Sequence, residues 1–149
     1  MRTLFACLLF GLSAGQAHAS GGASCASIEG AANVAIQAGI THGMGGPVFS
    51  LIGGVTINDD KTPPDLRAST FDKEQLAQYW LDGEELRFLL YRERQGDGAF
   101  GSVELEVRAK DTGDDATYDG TYRISVFDTT KTNDAPPIVY EGKVTCSVE

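Results

Sequence analysis

Along much of the chain apolar and polar residues alternate one for one, the period of a strand with one buried and one wet face. In NVAIQAGITH, Val34, Ile36, Ala38 and Ile40 share one parity, and Asn33, Gln37 and Thr41 share the other. SVELEVRAK sets Val103, Leu105, Val107 and Ala109 against Ser102, Glu104, Glu106, Arg108 and Lys110. TYRISVF does the same with Tyr122, Ile124 and Val126 against Arg123 and Ser125. The last run, IVYEGKVTCSV, puts Ile138, Tyr140, Val144, Cys146 and Val148 on one face. Glu141, Lys143, Thr145 and Ser147 lie on the other. VFSLIGGVTI is more uniformly apolar, and its Gly53-Gly54 pair predicts a bulge or sharp bend.

Between these runs stand turn signals: GMGGP, Asp82-Gly83, QGDGAFG, DTGDD, Asp119-Gly120 and TNDAPP. NDDKTPPD, with two prolines and four Asx residues in eight positions, reads as a loop. Short strands at this spacing predict an all-β fold, an antiparallel sandwich or a meandering barrel of about seven to eight strands. The one helical candidate is TFDKEQLAQY, where Thr70 or Asp72 is placed to cap a turn. Leu76, Gln78 and Trp80 within it suit a strand equally well.

The N-terminal segment breaks this pattern. Arg2 precedes an apolar run from Leu4 to Leu12, and Ala17-His18-Ala19 has the small-residue spacing of a cleavage site. Residues 1–19 are therefore expected to be a cleaved secretory signal, too short to span a bilayer, which needs about 20 apolar residues. The remainder divides into a lead segment, 20–32, carrying Cys25, and a single β-domain, 33–149. Removing Arg2 with the signal leaves 11 basic and 21 acidic residues, a net charge of −10. So acidic a chain repels the phosphates of nucleic acid and anionic membrane surfaces, and neither partner is expected. The expected location is the periplasm or the medium.

Maturation also removes Cys7, leaving Cys25 and Cys146. Two thiols in an oxidising compartment pair, and neither sits in a C-x-x-C or beside a base that would make it a redox or nucleophilic group. The pairing predicts a bond tying the start of the domain to its last strand.

Candidate chemistry is sparse. His42 ends the first clear strand, but no G-x-S-x-G elbow accompanies it. One histidine and paired cysteines cannot supply a zinc site. Asn58-Asp59-Asp60 and Asp111, Asp114, Asp115 and Asp119 are the places for calcium, yet neither group follows the ligand spacing of a known loop. Acid pairs abound in a chain with 21 carboxylates and single none out. No metal or cofactor is expected. The reading is a non-catalytic binding domain whose partner is a protein or small ligand. Its alternatives are a ligand carrier, if a barrel encloses a lumen, and a small hydrolase using His42 or an acid pair.

The most pointed binding feature is QYWLDGEELRF, which holds the single tryptophan. A two-residue Asp82-Gly83 loop places Leu81 opposite Glu84 and Trp80 opposite Glu85. Ala77, Tyr79, Leu81, Leu86, Phe88 and Leu90 then form a core face. Trp80, Gln78, Glu85 and Arg87 form an outer one, with Leu76, Leu89 and Tyr91 further from the turn and Arg87 placed for a cation–π contact. A three-residue loop instead shifts the pairing by one and buries Trp80 with Leu86 and Phe88. The two-residue register makes Trp80, Gln78, Glu85 and Arg87 the candidate binding residues.

Overall fold

Among the described residues, nine antiparallel strands form a single sheet in the order β4-β3-β2-β1-β9-β8-β7-β6-β5. They are β1 (Ser20–Gly30), β2 (Ala32–Thr41), β3 (Val48–Ile57), β4 (Ala68–Asp72), β5 (Leu76–Asp82), β6 (Glu85–Glu93), β7 (Gly101–Asp111), β8 (Thr117–Asp128) and β9 (Ile138–Val148). The structure, a computed structural model, describes residues 20–41, 48–130 and 136–149. The all-β class is as the alternation predicts, with nine strands rather than seven to eight. The sheet is a meander curled until its first and last strands, β1 and β9, pair, giving a nearly closed barrel rather than a sandwich. The expected lead segment is itself β1, paired with β2 on one side and β9 on the other. Its small residues, SGGASCAS, hide that role, because they give no apolar alternation to read.

The barrel is completed by one segment that changes partners. β4, a 3₁₀ turn (Lys73–Gln75) and β5 follow each other without a break; β4 pairs with β3 and β5 with β6. Asp72 caps the turn through a reciprocal pair of bonds: its carboxylate accepts from Glu74 N at 2.7 Å, and its own N–H donates to Gln75 Oε1 at 2.9 Å. This is the turn expected within TFDKEQLAQY. Arg92 of β6 spans the seam by donating to the Thr70 carbonyl at 2.8 Å and its hydroxyl at 3.0 Å. The NDDKTPPD segment, expected as a loop throughout, leads at its end into a four-residue helix α1 (Pro64–Arg67) begun by Pro64. The bulge expected at Gly53-Gly54 lies elsewhere. Pairing with β2 runs straight through both glycines and slips at Phe49, whose ring covers Gly39.

Inward-facing side chains pack the interior, with Tyr122, Phe88, Ile36, Leu86, Leu90, Leu105 and Ile124 all essentially inaccessible. Tyr122 shows how polar groups are accommodated there. Its hydroxyl donates to the Ala32 carbonyl and accepts from the Ala32 N–H, both at 3.1 Å. Its ring lies over the cross-strand pair Gly30 and Gly142, where a Cβ on either would collide with it. Gly30 also has φ +131°, which side chains resist.

Cys25 and Cys146 stand directly opposite each other on β1 and β9 and form the expected disulfide, with Cα atoms 4.0 Å apart and both residues buried. The ladder they bridge is the one that joins the first strand to the last. The bond therefore spans 121 positions of sequence and staples the closure of the barrel.

Candidate binding groove at Trp80

The β5–β6 hairpin turns at Gly83–Glu84, not at Asp82-Gly83. Gly83 takes φ +55° and Glu84 does not share the positive region, the pattern of a type II′ loop. The predicted type I′ loop would force Asp82 into positive φ as well, at a cost that glycine alone escapes. Asp82 therefore faces Glu85, Leu81 faces Leu86, Trp80 faces Arg87, Tyr79 faces Phe88 and Gln78 faces Leu89. The pairing differs from the expected one by two residues. A slip of two keeps every side chain on its face, whereas a slip of one inverts them.

Trp80 is consequently on the outer face, with 54% of its surface exposed, and Leu86, Phe88 and Leu90 are in the core. Two residues depart from the expected faces. A register shift between Leu76 and Gln78 leaves Ala77 exposed and brings Leu76 against the core. The expected cation–π contact also does not form: Arg87 directs its guanidinium to the Glu85 carboxylate.

Beside the indole lies an open groove of about 330 Å³, lined on the outer surface by Gln78, Trp80, Arg87, Leu89, Glu106 and Arg108. Three of the four sequence-nominated residues, Trp80, Gln78 and Arg87, are brought together here. Glu85 lines an adjoining hollow of about 350 Å³ with Lys110 and Asp119, and touches the groove only through Arg87. Glu106 and Arg108 come from β7 and were not nominated. Their outward parity is visible in SVELEVRAK, but which β6 residues they meet depends on a register set across the long QGDGAFG connection.

That register puts Arg87 directly opposite Arg108. Like charges at opposed positions destabilise a sheet. Each arginine is partly neutralised along its own strand, Arg87 by Glu85 and Arg108 by Glu106, whose Oε1 accepts from Arg108 Nε at 2.6 Å. These are exposed ion pairs, each worth about 0–1 kcal/mol. Under the groove, Tyr79 packs its ring 5.3 Å from Phe88 on the inner face. Burial, with a lesser contribution from nearby Tyr118, pushes the Tyr79 phenol up to about 12, and its buried hydroxyl has no partner among the described residues.

Elsewhere, four of the acids considered for calcium are engaged by other groups of the protein. Asp59 accepts from Lys61 N and from the Tyr140 hydroxyl, Asp60 pairs with Arg67, Asp111 accepts from Gly113 N, and Asp119 from Thr145. Among the described residues no three His, Cys, Asp or Glu side chains gather as a metal site. His42 lies outside the described residues. The inner positions that a carrier's lumen would require are occupied by the large side chains named above. No helix among the described residues is long and apolar enough to cross a membrane. Compared with protein-family models, with curated proteins and with solved structures, the chain finds no match.

Proposed function

We propose that the protein is an exported, non-catalytic binding domain that engages its ligand through the groove beside Trp80. The observation that carries this reading is the exposed indole, set in a concave surface with two arginines, a glutamine and a glutamate around it. Binding sites combine an apolar platform with a few convergent polar groups, and this is the composition here. Burying a tryptophan is worth several kcal/mol to a small fold. Leaving the chain's single one half in solvent is accounted for by a partner that covers it.

Export is supported by the disulfide, which needs an oxidising compartment to form and persist, and by the signal-like residues 1–19. N-terminal sequencing of protein recovered outside the cytoplasm should begin at Ser20; an intact Met1 start there would count against the signal. For binding, the full chain and its Trp80→Ala variant would be compared on arrays of peptides and glycans. The reading expects ligands held by the parent and lost by the variant. Matching patterns, or a blank array for both, would refute it.

A further inference from the structure

The arginine pair defines the chemistry of the ligand, and this step rests on the groove being the binding site. We infer that the groove takes a short saccharide carrying an anionic group, a carboxylated sugar. Three observations converge on it. First, Arg87 and Arg108 are cross-strand neighbours of like charge, an unfavourable arrangement that Glu85 and Glu106 offset only in part. An anion lying between them turns that repulsion into two attractions.

Second, the glutamates leave donors spare. Glu85 engages Nη2 of Arg87, and Glu106 engages Nε and Nη2 of Arg108. Among the described residues, Nε and Nη1 of Arg87 and Nη1 of Arg108 have no partner. Guanidinium forks bind carboxylate in bidentate geometry, and the resulting charge-assisted bonds are the strong ones.

Third, the remaining lining suits a hydroxylated ring. The indole offers a flat apolar face against which the C–H face of a sugar can lie. Gln78 supplies both donors and acceptors, and Glu106 supplies acceptors, for the hydroxyls around that ring. Leu89, half-buried opposite Gln78, forms an apolar part of the groove wall.

The acidic chain limits the size of the ligand. Its net charge of −9 repels a long polyanion before contact, while the arginines act at close range over one or two anionic groups. A mono- or disaccharide acid fits both conditions.

The test uses the full, oxidised chain, reads Trp80 fluorescence, and titrates with digalacturonate and with its uncharged dimethyl ester, which keeps the same rings. The inference expects a saturable change with the acid and at least tenfold weaker binding of the ester. Adding salt should weaken the acid alone. Arg108→Gln should lower affinity for the acid towards that of the ester, with a thermal midpoint close to the parent's, because the like-charge contact with Arg87 and the exposed ion pair with Glu106 are lost together. Equal binding of acid and ester would overturn the anionic assignment while leaving the groove as a saccharide site. No response to either would also overturn it, and the Trp80→Ala array comparison separately decides whether the groove binds anything. Arg108→Gln protein with a lowered midpoint and undiminished binding of the acid would show the pair to be structural.

Discussion

At the scale of single residues, the half-buried Tyr79 and the fully buried Tyr122 have opposite hydrogen-bonding accounts for their hydroxyls. The Tyr122 hydroxyl satisfies both backbone groups of Ala32, so Tyr122→Phe strands a buried N–H and carbonyl. It should cost about 1–3 kcal/mol in urea unfolding. Tyr79 carries an unpartnered hydroxyl beneath the groove. Tyr79→Phe removes it and should be neutral or stabilising by up to about 1 kcal/mol; a loss comparable with that of Tyr122→Phe would mean the hydroxyl has an important partner. Parity alone made most of the inner face legible: Val34, Ile36, Leu105, Ile124 and Cys146 all point inward as their alternation indicates. What parity could not show was which hydroxyl would find a partner. That depends on residues brought close from ninety positions away, as Ala32 is to Tyr122.

At the scale of elements, turns and connections decided what the sequence could not. The faces of β5 and β6 were readable, and their pairing was missed by two residues because glycine's choice of loop position outweighs the Asp-Gly pattern. β1 was not readable, since its residues are too small to alternate. The end of the barrel near the β6–β7 connection is tied by Arg94, which reaches Asp65 of α1 at 2.5 Å, Asp128 of β8 at 2.9 Å and the Ala99 carbonyl at 2.7 Å. The Arg94 hydrogen bond holds the Asp65 carboxyl below its ordinary value. At Asp128 burial pushes upward, but bonds from Thr130 and Arg94 outweigh it and the net direction is also down. A carboxylate lowered by folding stabilises the protein above its unfolded value, about 3.9, and that contribution is lost as pH falls through the lower folded value. Urea midpoints should therefore drop on acidification from pH 5 towards pH 2. Asp128→Asn should reduce the midpoint at pH 7 and flatten that dependence; an unchanged slope would remove Asp128 from the account of acid stability.

At the scale of the whole molecule, the fold is a meander whose ends are brought together by one covalent bond. The cysteine pairing was legible by counting, and so was its tie between the start of the domain and the last strand; that the start is itself a strand, laddered directly to β9, was not. Constraining a loop of 121 positions is worth on the order of 4–5 kcal/mol in the chain-entropy model, so Cys25→Ser/Cys146→Ser should lose about that much stability. A loss below about 1 kcal/mol would mean that the strand ladder closes the barrel unaided. Charge is divided just as unevenly as sequence distance: β1, β2 and β3 together carry a single ionisable side chain, Glu29, whereas the arginines and glutamates of the groove lie on β6 and β7. The central claim is that this second half presents its one tryptophan outward as a contact surface. Because Trp80 is the chain's single tryptophan, its emission and acrylamide quenching in the oxidised full-length protein report on that claim without any label. The account predicts emission close to that of tryptophan in water and ready quenching; blue-shifted emission protected from acrylamide would contradict it.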